Sequence, residues 1–111
     1  MPSVARQLTP QDVKQLIDAD EAYVIDVRET NEFAEAHIAE ARLMPLSRFD
    51  PTAIDPPPGK QLIFHCRSGV RCGMASEALR ASGYEGPISR MTGGLISWIE
   101  AGLPVVRPGR T

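Results

Sequence analysis

A chain of 111 residues, 42% hydrophobic and 23% charged, has the make-up of one soluble globular domain that can bury a core without disulfide staples. Its formal net charge of -2 gives no broad cationic surface for nucleic acid or anionic lipid, so any cationic site must be local. Cys66 and Cys72 are too few for a secreted disulfide scaffold and read as reduced thiols of a cytoplasmic protein; the N-terminus lacks a signal-like apolar run, and no segment nears the roughly 18 apolar residues of a membrane span.

In chain order, residues 4–8 are expected to form a short first strand. Thr9-Pro10-Gln11-Asp12 then opens a helix: Thr9 caps, Pro10 suits the first helical position, and Asp12 completes a capping box. Val13, Leu16 and Ile17 give that helix one apolar face, and it should stop between Asp18 and Asp20. The run AYVIDV, residues 22–27, is apolar and β-branched enough for a strand covered on both faces. Thr30 is the expected cap of the next helix, with Glu32 in its first turn. Residues 41–46 make another candidate strand, which Pro45 pushes to an edge or an end. The stretch DPTAIDPPPGK, residues 50–60, reads as a surface loop with at most one helical turn. Residues 61–65 form the next strand. Residues 70–82 form a helix, with Met74, Ala78 and Leu79 expected toward the core and Gly83 as its stop. Residues 88–91 give a last strand, Gly93-Gly94 a turn, and residues 95–101 a helix carrying Trp98, closed by Gly102 and Pro104. Alternating strands and helices predict an α/β domain with a mainly parallel sheet, in which ligands bind beyond the carboxyl ends of strands.

The segment IFHCRSGVRC, residues 63–72, places Cys66 at such an end. The loop after it runs into a helix, whose first N–H groups are unpaired and can cradle an anion. Gly69 allows the tight backbone that this needs. Those N–H groups, with Arg67 and Arg71, should lower the pKa of Cys66 below the ordinary ~8.5 and make it a nucleophile at neutral pH. The guanidinium groups can also fork onto an oxyanion. The alternative is a cysteine that serves only as a small apolar residue.

These residues resemble the rhodanese-like (sulfurtransferase) family. In IDVRETNEFAEAHIAEARLMPL, residues 25–46, Asp26, Arg28, Glu32, Phe33, His37 and Ile38 occupy positions of the family's first signature. FHCRSGVRC is similar to its active-site loop, and MASEALRASGYE to the helix behind it. MTGGLISWIEAGLPV is similar to its C-terminal signature, with Gly93, Gly94, Trp98, Gly102 and Pro104 in place. The resemblance implies a central five-stranded, mainly parallel sheet with helices on both faces, in a single domain spanning the chain. It implies that the Cys66 thiolate takes the outer sulfur of thiosulfate or a persulfide. The resulting Cys66 persulfide passes its sulfur to cyanide, a thiol or a protein acceptor. Arg67, Ser68, Gly69, Val70 and Arg71 would bind the sulfur-containing anion. No cofactor, metal, nucleic acid or membrane is expected. Related phosphatases place five residues between their cysteine and arginine; here four separate Cys66 from Arg71, the sulfurtransferase form. Regulatory or sulfur-carrier modules with a dedicated protein partner form the alternative reading, although many regulatory copies lack the cysteine.

Cys72 stands where the family more often has serine or threonine, and is either a packing residue or a relay or resolving thiol. His65 alternates with Cys66 along its strand and is not expected to act as a base. Asp26, Arg28 and His37 are expected to support the structure, Arg28 as a local ion pair with Glu32. Trp98 is expected to anchor the core.

Overall fold

Alternation along the central strands divides the core into two layers. In the computed structural model, which describes residues 6–108, the strand β4 (Gln61–His65) sends Leu62 and Phe64 to one face and Ile63 to the other. Strand β2 (Ala22–Asp26) lies parallel beside it, in register Ala22 to Gln61 through Asp26 to His65, and sends Ile25 to the first face and Val24 to the second. The remaining strands are β1 (Arg6–Leu8), β3 (Arg42–Leu43) and β5 (Ser89–Met91), and the order across the sheet is β1-β5-β4-β2-β3, with every pair parallel. A parallel sheet must be covered on both faces, and the near-continuous apolar run of β4 is what such a strand requires.

The helix α3 (Val70–Ala81) covers the first face through Cys72, Ala75 and Leu79, packed with Ile25, Leu62 and Phe64. Helices α1 (Pro10–Asp18) and α4 (Gly94–Glu100) cover the second, where Val13 and Trp98 meet Val24 and Ile63. The Trp98 indole N–H donates to the Pro104 carbonyl at 2.9 Å, so this anchor also fixes the chain after α4. Helix α2 (Thr30–Glu35) is short and follows β2. No helix among the described residues is long and apolar enough to cross a membrane.

Several local expectations hold and several shift. The capping box at Thr9 is formed in both directions, at 3.1 Å each. The first strand begins at Arg6; residues 4 and 5 lie outside the described residues. The cap of α2 is Glu29, whose N–H donates to the Glu32 carboxylate at 2.8 Å, and Thr30 is already helical. Pro45 has no N–H to give, and the expected strand at 41–46 shortens to Arg42–Leu43 before a 3-10 turn at Leu46–Arg48. The proline-rich loop carries one further such turn, Pro51–Ala53. Met74 does not face the core: the buried stripe of α3 is Cys72, Ala75, Ser76 and Leu79, and Met74 falls on the open side, 56% exposed.

Candidate active site

The apolar end of β4 delivers the Cys66 side chain to the carboxyl edge of the sheet, where it is 1% exposed. Gly69 follows with φ 111°, a backbone setting that glycine adopts without strain, and caps α3. The chain thereby turns back over the sulfur. The Gly69 N–H donates to Cys66 Sγ at 3.1 Å, and the backbone N–H groups of Arg71 and Cys72, at the start of α3, help to lower its pKa. The Cys72 thiol donates to it across an Sγ to Sγ distance of 3.4 Å.

These contacts make Cys66 acidic. Its pKa falls from 9.0 to about 5, chiefly through the Cys72 hydrogen bond and then the three backbone N–H groups, against the opposing effect of burial. Local dipoles therefore account for the acidity that the sequence reading assigned in part to Arg67 and Arg71. The Cys72 thiol is pushed the other way, by its bond to Cys66 and by burial. Alkylation by iodoacetamide should accordingly rise with pH about a midpoint near 5 and stay flat through neutrality. A midpoint near the ordinary thiol value would show that the loop does not hold a thiolate. The stability linkage has the same origin. The folded value lies below the unfolded one, so the ionised thiol stabilises the fold above about pH 9, and that contribution is lost as pH falls toward about 5.

The opposite side of the loop is held by α4. Leu95 and Ile96 donate their N–H groups to the carbonyls of Cys66 and Arg67, at 2.8 and 3.2 Å. The loop thus has its carbonyls bound on one side and its N–H groups free to face the sulfur on the other. Gly94, at φ 61°, makes this approach feasible, because a Cβ there would lie 2.4 Å from both carbonyl oxygens.

The arginines divide their work. Arg71 forks onto Glu32 of α2, at 2.6 and 2.9 Å, so its guanidinium is already paired. Arg71 is the main reason that the Glu32 carboxyl drops from 4.5 to about 2. Arg67 and Ser68 are exposed, and Val70 is 71% exposed at the start of α3. Arg28 does not pair with the Glu32 carboxylate as expected. It lies against the fully buried Asp26 carboxylate, with Nη2 to Oδ2 at 2.7 Å and Nε to Oδ1 at 3.0 Å, and donates to the carbonyls of Glu32 and Ala36. His65, fully buried, has Nε2 3.5 Å from Asp26 Oδ2, without hydrogen-bond alignment. Burial lowers its pKa, which keeps it neutral. His37 stacks on Phe33 at 3.8 Å and pairs through its backbone with Val106, tying the chain after α4 to α2.

One cation at the site went unread in the sequence. Arg90 of β5 lines a cleft of about 190 Å³ with Ser68, Gly69, Thr92 and Gly93. Its guanidinium sits so close to Gly73 of α3 that a Cβ there would meet Nη1 at 2.6 Å. A charged residue inside a short predicted strand beside the cysteine strand was the available signal.

Comparison with known proteins places this arrangement among relatives. A family model described as "Rhodanese-like domain" matches residues 9–101. An uncharacterized protein of Synechocystis sp. is 40% identical over 100 residues, which cover 90% of this chain but only 55% of that protein. A protein of Allochromatium vinosum named sulfurtransferase is 30% identical over 95 residues, covering 86% of this chain and 88% of that one. Among solved structures, a rhodanese-related protein from Thermoplasma volcanium superposes with a TM-score of 0.77 at 32% identity, covering 91% and 97% of the two chains.

Proposed function

This chain belongs to the rhodanese-like domain family, and from that premise we propose that it is a sulfurtransferase acting through a persulfide on Cys66. The observation that carries the reading is the pair of donors on Cys66 Sγ at the carboxyl end of β4, the Gly69 N–H and the Cys72 thiol. A nucleophile held ionised in this way needs no general base. The thiolate attacks the outer sulfur of thiosulfate. The S–S bond breaks, sulfite leaves with the bonding electrons, and the outer sulfur remains on Cys66 as an anionic persulfide. The loop N–H groups stabilise that anion as they stabilised the thiolate. An acceptor, cyanide or a thiol, then attacks the outer sulfur and returns the thiolate. Arg67, exposed beside the cysteine, and Arg90, lining the adjoining cleft, are the cations for the sulfonate oxygens, whereas Arg71 is held by Glu32. A protein acceptor is favoured by the exposed Val70 and Met74, one turn apart on α3 immediately after the loop.

The test is the intact mass of reduced protein after brief incubation with thiosulfate, for the wild type and Cys66→Ser. The expected wild-type species is one sulfur atom heavier, loses that sulfur to cyanide, and is absent from the variant. An unchanged wild-type mass with thiosulfate and with a small-molecule persulfide would overturn the reading.

A further inference from the structure

Cys72 is not needed to attack a substrate, yet its thiol lies directly against the sulfur of Cys66. It is fully buried in the first turn of α3. Its sulfur faces one reactive atom, Cys66 Sγ, at 3.4 Å. A disulfide needs about 2.05 Å between sulfurs, so closure requires an approach of little more than an ångström. The two cysteines sit on opposite sides of the turn at Gly69, one at the end of β4 and the other in the first turn of α3. A serine at position 72 would offer the same hydrogen bond to the thiolate. What only a cysteine adds is the capacity to form a bond to sulfur.

We propose that Cys72 resolves the Cys66 persulfide, giving the protein a second activity: reductive release of sulfane sulfur as hydrosulfide. This rests on the persulfide reading above. The step begins from a persulfide anion on Cys66 and a protonated Cys72. The Cys72 proton passes to the outer sulfur, and the Cys72 thiolate attacks the inner sulfur, Cys66 Sγ. A Cys66–Cys72 bond forms, the bond between Cys66 Sγ and the outer sulfur breaks, and hydrosulfide leaves with the electron pair. The outer sulfur gains one electron and the Cys72 sulfur loses one, while Cys66 Sγ exchanges one S–S bond for another at the same oxidation level. A further cycle requires an external dithiol, which reduces the disulfide and restores both thiols. The chain then works in two modes. A fast acceptor takes the sulfur intact; without one, the neighbouring thiol discharges it and closes the site until a dithiol reopens it.

The experiment uses the full chain, reduced and kept free of oxygen, with thiosulfate and no acceptor. Released hydrosulfide is assayed, intact mass is followed with time, and the cysteine connectivity of the wild type is mapped by peptide digestion. In the wild type, hydrosulfide should approach one equivalent per chain. The chain should end two hydrogens lighter than its reduced form, with Cys66 linked to Cys72. In Cys72→Ser, whose hydroxyl can still donate to Cys66, the hydrosulfide released per persulfide formed should fall to background whatever the rate of loading, and every chain that becomes one sulfur atom heavier should stay so. A wild type that stays one sulfur heavier and releases no hydrosulfide overturns the resolving role and leaves sulfur transfer intact. If the wild type neither takes up sulfur nor releases hydrosulfide, both readings fall together. The wild-type connectivity decides the matter even if a buried substitution at position 72 impairs folding.

Discussion

Replacing Asp26 by alanine is expected to lower the unfolding free energy by about 3–5 kcal/mol, read from the urea midpoint at constant slope. The cause is the partner left behind. Arg28 is 4% exposed, and its Nε and Nη2 both lie on the Asp26 carboxylate. Its backbone N–H donates to the same group at 3.0 Å. Without the carboxylate, a buried guanidinium keeps only the carbonyls of Glu32 and Ala36. The damage also has a direction. Those two carbonyls bracket the end of α2, which carries the Glu32 carboxylate that pairs with Arg71. The loop should therefore loosen as stability falls. Replacing Asp26 and Arg28 together by apolar residues should cost less than Asp26→Ala alone, because no unpaired charge remains. A loss below about 1 kcal/mol for Asp26→Ala would contradict this account.

Gly94→Ala should be the most harmful single methyl group that can be added beside the cysteine loop. The left-handed backbone alone costs about 1–2 kcal/mol for a residue with a side chain. The new Cβ would also press on the carbonyl oxygens of Cys66 and Arg67, which are backbone atoms and cannot swing aside. Helix α4 must retreat, losing the Leu95 and Ile96 hydrogen bonds at about 1 kcal/mol each. The expected total is about 2–4 kcal/mol. The alkylation midpoint of Cys66 should move up toward the ordinary thiol value, because the loop carbonyls no longer hold their N–H groups on the sulfur. Gly102→Ala is the control. Gly102 shares a positive φ, 79°, but a Cβ there meets nothing within 4 Å, so it reports the backbone cost without the clash. Equal effects at the two positions would show that the contact between α4 and the loop matters little.

The order of strands and helices and the position of Cys66 could be read from the chain because both depend on neighbours in sequence. Thr9 and Asp12 meet within one turn, and the apolar run before Cys66 is itself the strand. What could not be read depends on residues brought together by folding. Arg71 and Glu32 are 39 positions apart, and nothing local marks them as partners, whereas Arg28 and Glu32 had the spacing of a local pair and are not one. The acidity of Cys66 was expected, but its main cause, the Cys72 thiol, emerges only when the first turn of α3 folds back over the sulfur. Met74 was assigned to the core from composition. The buried stripe of α3 is fixed instead by Cys72 facing Cys66, which rotates Met74 outward.

The contact of α4 with the loop also sets when the thiol becomes reactive during synthesis. A ribosome releases the chain from its N-terminus, so both cysteines emerge before Leu95 and Ile96. Until those two residues arrive, the carbonyls of Cys66 and Arg67 lack their donors, and Cys66 has the sluggish chemistry of an unstructured thiol. The nascent chain thus carries an ordinary thiol until α4 has emerged, and the loop gains its two donors only then.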